Sequence, residues 1–180
     1  TFIRGIGLSL LLVASVAQAA PMPAWVARSN ALAEPVLQEQ GRFIPEAASA
    51  NGKDEFDTAI IDLAPQVYER RLASLRAMRD ALMAQREKES DARVRQDLDI
   101  MIASREQSIR TREVQHQYLL GPANIAGLVN FGLKTLLDSR NKPERQARAL
   151  VRLKRYAGLE AGYIPVATLA RERAQEELAR

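Results

Sequence analysis

The chain has 180 residues, 47% of them apolar and 27% charged, a balance that belongs to a globular protein and excludes a disordered tail. Its 26 Lys and Arg stand against 22 Asp and Glu with the two signs interspersed, so there is no one-sign stripe to grip phosphates and no basic run interleaved with aromatics to stack bases. With no Cys there is no disulfide framework, and stability has to come from packing.

The first twenty residues, TFIRGIGLSLLLVASVAQAA, read as an export signal. Arg4 supplies the positive start, Ile6 to Val16 the apolar stretch, and Ala17-Gln18-Ala19 the small-x-small cleavage pattern. Cleavage after Ala19 leaves Ala20 as the mature start. The competing reading, an uncleaved membrane anchor, is disfavoured because the apolar stretch falls short of the about 20 residues that span a bilayer. An exported chain without Cys points to the bacterial periplasm or the exterior.

From there the periodicity is helical and no segment alternates long enough to predict a strand, so the fold class is all-α. Trp25, Leu32, Val36 and Phe43 mark a first helical segment in which Pro35 is expected to start or kink a helix. IPEAASANGKDEFDTA, with its Asn51-Gly52 turn signal, reads as the longest loop. Two long helices follow, Pro65–Glu89 and Ala92–Leu120. Tyr68, Leu72, Leu75, Met78 and Leu82 form the stripe of the first, and Val94, Leu98, Met101, Ile102 and Ile109 that of the second. The short polar turn between them predicts an antiparallel hairpin. Asp91 with Arg95, and Glu106 with Arg110, are placed to pair one turn apart.

Gly121-Pro122 is read as a break before a strongly apolar helix bearing Ile125, Leu128, Val129, Leu133, Leu136 and Leu137, which belongs between other helices. A further helix opens at Pro143 and ends at Gly158, and Gly162 and Pro165 precede a last one. That helix carries its apolar period to Leu178 with no Gly, Asn or Pro to stop it, and the sequence does not begin with Met. The chain is therefore read as a piece: a signal over residues 1–19, then an N-terminal helical region over 20–180.

Chemistry-bearing motifs are sparse. His116 is the single histidine and lacks the partner spacing of a zinc site, so it reads as a histidine near the C-terminal pole of its helix. Asp54, Glu55 and Asp57 crowd one loop without the Gly-centred pattern of a calcium site, and read as a solvated turn. Asp97 and Asp99 fall on different sides of their helix, and no Ser lies in a GxSxG context. Arg70, Arg71, Arg76 and Arg79, with Arg148, Arg152 and Arg155, would form an anion-binding cluster if their helices met; otherwise they are surface arginines. No catalytic, cofactor-binding or metal-ligating residue is assigned to any position.

The order of the segments WVARSNALAEPVL, FDTAIIDLAPQVYERRLASL, RVRQDLDIMI and ALVRLKRYAGLEAGYIPVATLARER resembles the N-terminal portion of the bacterial domain of unknown function 885 family, from about Trp25 to Arg180. Its most specific stretches are Asp62 to Arg71 and Arg155-Tyr156-Ala157-Gly158 to Tyr163. The resemblance implies a longer, mostly helical protein similar to HExxH zinc metallopeptidases, acting on peptide substrates, with zinc bound and water activated in a motif that lies beyond this region. The sequence holds no HExxH, so no cofactor is assigned to this chain itself. The expectation is thus the N-terminal helical part of an exported, zinc-dependent, peptidase-like hydrolase. The alternative is a complete periplasmic helical bundle that binds a partner or small ligand without catalysis.

Expressed with its natural leader in a bacterium, the protein recovered from the periplasmic fraction should begin at Ala20 on N-terminal sequencing. The intact leader in a membrane pellet would refute the signal reading.

Overall fold

The computed structural model describes residues 22–119 and 124–179. The expected export signal with its cleavage site, and the expected Gly121-Pro122 break, lie outside the described residues. Those described are helical and contain no strand: α1 Ala24–Phe43, α2 Pro45–Ala50, α3 Val67–Lys88, α4 Ala92–Tyr118, α5 Ile125–Leu137, α6 Pro143–Tyr156 and α7 Val166–Leu178. The fold is all-α, as the periodicity requires. No helix among the described residues is long and apolar enough to cross a membrane.

The antiparallel hairpin is α3 and α4. Leu82, near the end of α3, packs with Val94 and Leu98 near the start of α4, while Leu72 and Leu75 meet Ile109 further along. The expected Asp91–Arg95 pair is replaced by a cap: Asp91 accepts from the Arg93 backbone amide at 2.9 Å and pairs with its guanidinium at 2.7 Å. Capping satisfies an otherwise orphaned amide in the first turn, which a pair one turn away leaves unmet. Glu106 and Arg110 stand 3.9 Å apart, at the outer limit of an ion pair.

Three elements depart from expectation. Pro35 lies inside α1 and does not start a helix; it faces solvent, where water can take the carbonyl that loses its amide partner. Pro65 precedes α3 instead of opening it. Gln66 adopts a left-handed conformation (φ 57°, ψ 29°), so right-handed helical geometry begins only at Val67. The presumed long loop also contains α2, started by Pro45, and a single 3-10 turn at Asp54–Phe56.

Two cores result. One joins α1 to the hairpin: Val36, Leu82, Val94 and Leu98 are buried, with Trp25 and Leu32 packed against them. The other gathers Leu63, Tyr156 and Val166 with half-buried Leu128, Leu133 and Leu169, which places α5 among its neighbours as its wide apolar face predicts. At its closest approach α5 has Gly132, where an added Cβ would stand 2.5 Å from the Tyr156 hydroxyl and 2.9 Å from Glu46 Cγ. α6 ends in a Schellman motif. Gly158 is left-handed (φ 68°), and the Gly158 and Leu159 amides bond back to Arg155 and Lys154.

The two cores meet at a polar seam. Arg145, Arg148, Arg152 and Arg155 share one face of α6 and close on residues 54–58 (Arg145–Asp57 3.0 Å, Arg148–Asp57 3.0 Å, Arg152–Phe56 O 2.7 Å, Arg155–Thr58 O 2.8 Å). Of the turn expected to be solvated, Asp54 and Glu55 are exposed, but Asp57 is fully buried, accepts from the Ser49 hydroxyl at 2.6 Å and acts as an anchor. Buried Glu46 accepts from the Tyr156 hydroxyl at 2.7 Å and the Ile61 amide at 2.9 Å. The reason is electrostatic: a buried carboxylate needs paired donors, and α6 supplies them.

Burial opposes ionisation of Asp57, but the bonds from Arg145, Ser49 and Arg148 prevail and hold its carboxyl below the ordinary value. A carboxyl depressed in the folded state stabilises the fold above its unfolded pKa, and that contribution is lost as pH falls through the folded pKa. Asp57→Asn should therefore cost about 3 kcal/mol or more at pH 7, with the gap to the parent narrowing below about pH 4, as read by urea denaturation at a series of pH values.

Candidate anion site between the hairpin and the first two helices

The arginines named from the sequence do not gather. Arg70 grips Asp62 with both forks (2.5 and 2.8 Å), Arg76 reaches Glu113 (2.7 Å), and Arg79 pairs with Asp80 (2.7 Å). Arg148, Arg152 and Arg155 serve the seam. Their helices do not converge, because α6 packs on α5 and the 54–58 segment while α3 packs on α4 and α1.

Arg71 alone turns towards a different group. It joins Arg105 and Arg112 of α4 in lining a cavity of about 520 Å³ whose remaining wall includes Glu39, Gln40, Ile44 and Ala48. A second cavity, of about 510 Å³, shares the wall made by Arg71, Arg112 and Gln115 and opens towards Tyr68, His116 and α7.

These guanidiniums are not equivalent. Arg105 is 3% exposed and has internal partners: Glu39, also buried, at 3.4 Å, and Ser104 Oγ at 3.3 Å. With its amide oxygen turned to Arg105, Gln40 accepts from both terminal nitrogens at 3.1 and 2.5 Å. Arg71 and Arg112, both half-buried, make no hydrogen bond or ion pair among the described residues, and the Arg112 Nε is buried without a protein partner. Arg71 lies over the Phe43 ring at 5.8 Å, a cation–π contact.

The hairpin register brings these two together. The Tyr68–His116 stack (3.6 Å between ring centroids) and the packing of Leu72 on Ile109 are rungs of α3 on α4, and Arg71 and Arg112 fall between them. Burial, then the neighbouring Arg112, push the Arg71 guanidinium down to about 10, with Glu39 opposing and Arg105 adding to the shift. Burial likewise lowers Arg112. Like charges facing each other in a poorly solvated cleft are costly, and an anion between them would relieve both terms.

Arg105 and Arg112 were not singled out from the sequence, although a signal was present. Seven-residue steps from Leu98 lead to Arg105 and then Arg112, so both continue the inward stripe of α4. A charge on a core stripe is a candidate site by position alone.

His116 sits near the end of α4 as expected, stacked on Tyr68 with its Nδ1 3.7 Å from Glu177. Among the described residues no three His, Asp or Glu side chains converge as metal ligands. The zinc implied by the resemblance thus finds no fitting ligand set there. Compared with known proteins, the chain matches no family model, no curated protein and no solved structure.

If Arg112 is held for a ligand and not for the fold, Arg112→Met should raise stability, by about 1 kcal/mol, because it removes a desolvated, unpaired charge and keeps the aliphatic volume. Urea denaturation measures this. A clear loss of stability would make Arg112 a structural residue.

Proposed function

We propose that this chain binds a small anion between Arg71 and Arg112, and that it does so as the ligand-holding helical portion of an exported, zinc-dependent, peptidase-like hydrolase whose bond-cleaving residues lie outside it. The observation that carries the binding half is the pair of guanidiniums, Arg71 and Arg112, that line one cavity without a hydrogen bond or ion pair among the described residues, while Arg105 beside them is already engaged by Glu39. Glu39 offsets part of the unfavourable charge of such a pair and an anion would offset more, and sites that trade stability for binding are the usual place for it. The hydrolase half rests on the resemblance of segments from Trp25 to Arg180.

The alternative of a helical binding protein with no catalytic function shares the same cavity. It is separated from the first reading by peptide-release assays on the product of the whole gene.

Anion binding is measured by thermal unfolding in sulfate or acetate at constant ionic strength. The melting temperature should rise saturably in the parent, with a ligand at a hundred times its Kd adding about 2.7 kcal/mol. Arg71→Met and Arg112→Met should each remove the saturable part. A linear salt response shared by parent and variants would end this reading.

A further inference from the structure

We infer that the ligand of the Arg71–Arg112 pair is the free C-terminal carboxylate of a short peptide, whose last residues lie in the cavity beside Glu39; this rests on the anion-binding reading above. Arg71 and Arg112 line one cavity from two packed helices and make no hydrogen bond or ion pair among the described residues, and a guanidinium fork is the donor group that matches a planar carboxylate.

Charge limits the ligand further. Arg71 and Arg112 are both within electrostatic reach of Glu39, which lines the same cavity and stays close to Arg105. A second negative charge brought in by a phosphate dianion would be repelled by that carboxylate. A single carboxylate settles on the free pair and leaves the Glu39–Arg105 contact intact.

The rest of the wall suits a peptide. Gln115 adds an amide able both to donate to and to accept from a peptide unit, and the Thr111 hydroxyl, which accepts from Gln107, keeps its own proton to donate. Leu37, Ile44, Ala47, Ala48 and Leu75 supply an apolar lining for one or two side chains. A volume of about 520 Å³ lies in the range of sites for ligands of this size, whereas a bare phosphate would fill only a small part of it.

The experiment is isothermal titration of the chain with acetylated Ala-Ala-Leu as the free acid, the same tripeptide as the C-terminal amide, and inorganic phosphate, each on the parent and on Arg71→Gln and Arg112→Gln. Circular dichroism and melting confirm that the variants are folded. The free acid should bind at least tenfold more tightly than the amide, and either substitution should abolish that preference. Equal binding of acid and amide, or phosphate binding more tightly than the free acid, would overturn the peptide-terminus proposal and leave anion binding standing. If neither the acid nor phosphate binds, or the variants bind as the parent does, the anion reading falls with it.

Discussion

The buried carboxylate of Asp57 is the constraint on which the arrangement of the two cores depends. It comes from a short 3-10 turn after α2, and its partners Arg145 and Arg148 lie 88 and 91 residues further along the chain. A charge removed from water must be paired or the segment carrying it moves outward. The pairing therefore holds α6 against the α2 region, and α6 carries Tyr156 to Glu46 and Arg152 to the Gly132 carbonyl. The C-terminal core is positioned by this seam as much as by apolar contact.

The molecule contains two arginine systems with opposite bookkeeping. On α6 the guanidiniums reach carboxylates or backbone carbonyls, and even fully buried Arg152 finds two carbonyl oxygens at 3.0 and 2.7 Å. On the hairpin, Arg71 and Arg112 face each other with no such partners among the described residues. The first system stabilises the fold. In the second, burial lowers both guanidiniums, which is the cost that the proposed anion would offset on binding.

The two stretches that carry the family resemblance have distinct physical roles here. Asp62 accepts both forks of Arg70 and the amide of Ala64, which fixes the entry into α3 and so the position of Arg71 on its inner face. In the second, Arg155 lies 5.0 Å from the Tyr163 ring centre, Tyr156 bonds Glu46, and Gly158 closes the Schellman turn. An added Cβ at Gly158 would also meet the Pro165 ring at 2.5 Å, so the turn and the start of α7 require each other.

By itself the sequence determined the helices and their hairpin. Leu72, Leu75, Leu82, Val94 and Leu98 repeat at helical spacing, and a short polar turn leaves two such stripes little choice but to meet; local periodicity encodes these features. It did not reveal α2, the left-handed Gln66, or the burial of Asp57, since each depends on what stands opposite in space. The same limit applies to the candidate site. Arg105 and Arg112 lie on a readable stripe, but their significance comes from Glu39 on α1 and Arg71 on α3. Only tertiary packing decided which arginine meets a carboxylate and which meets another arginine, because charge pairing is a property of distance through space and not of spacing along the chain.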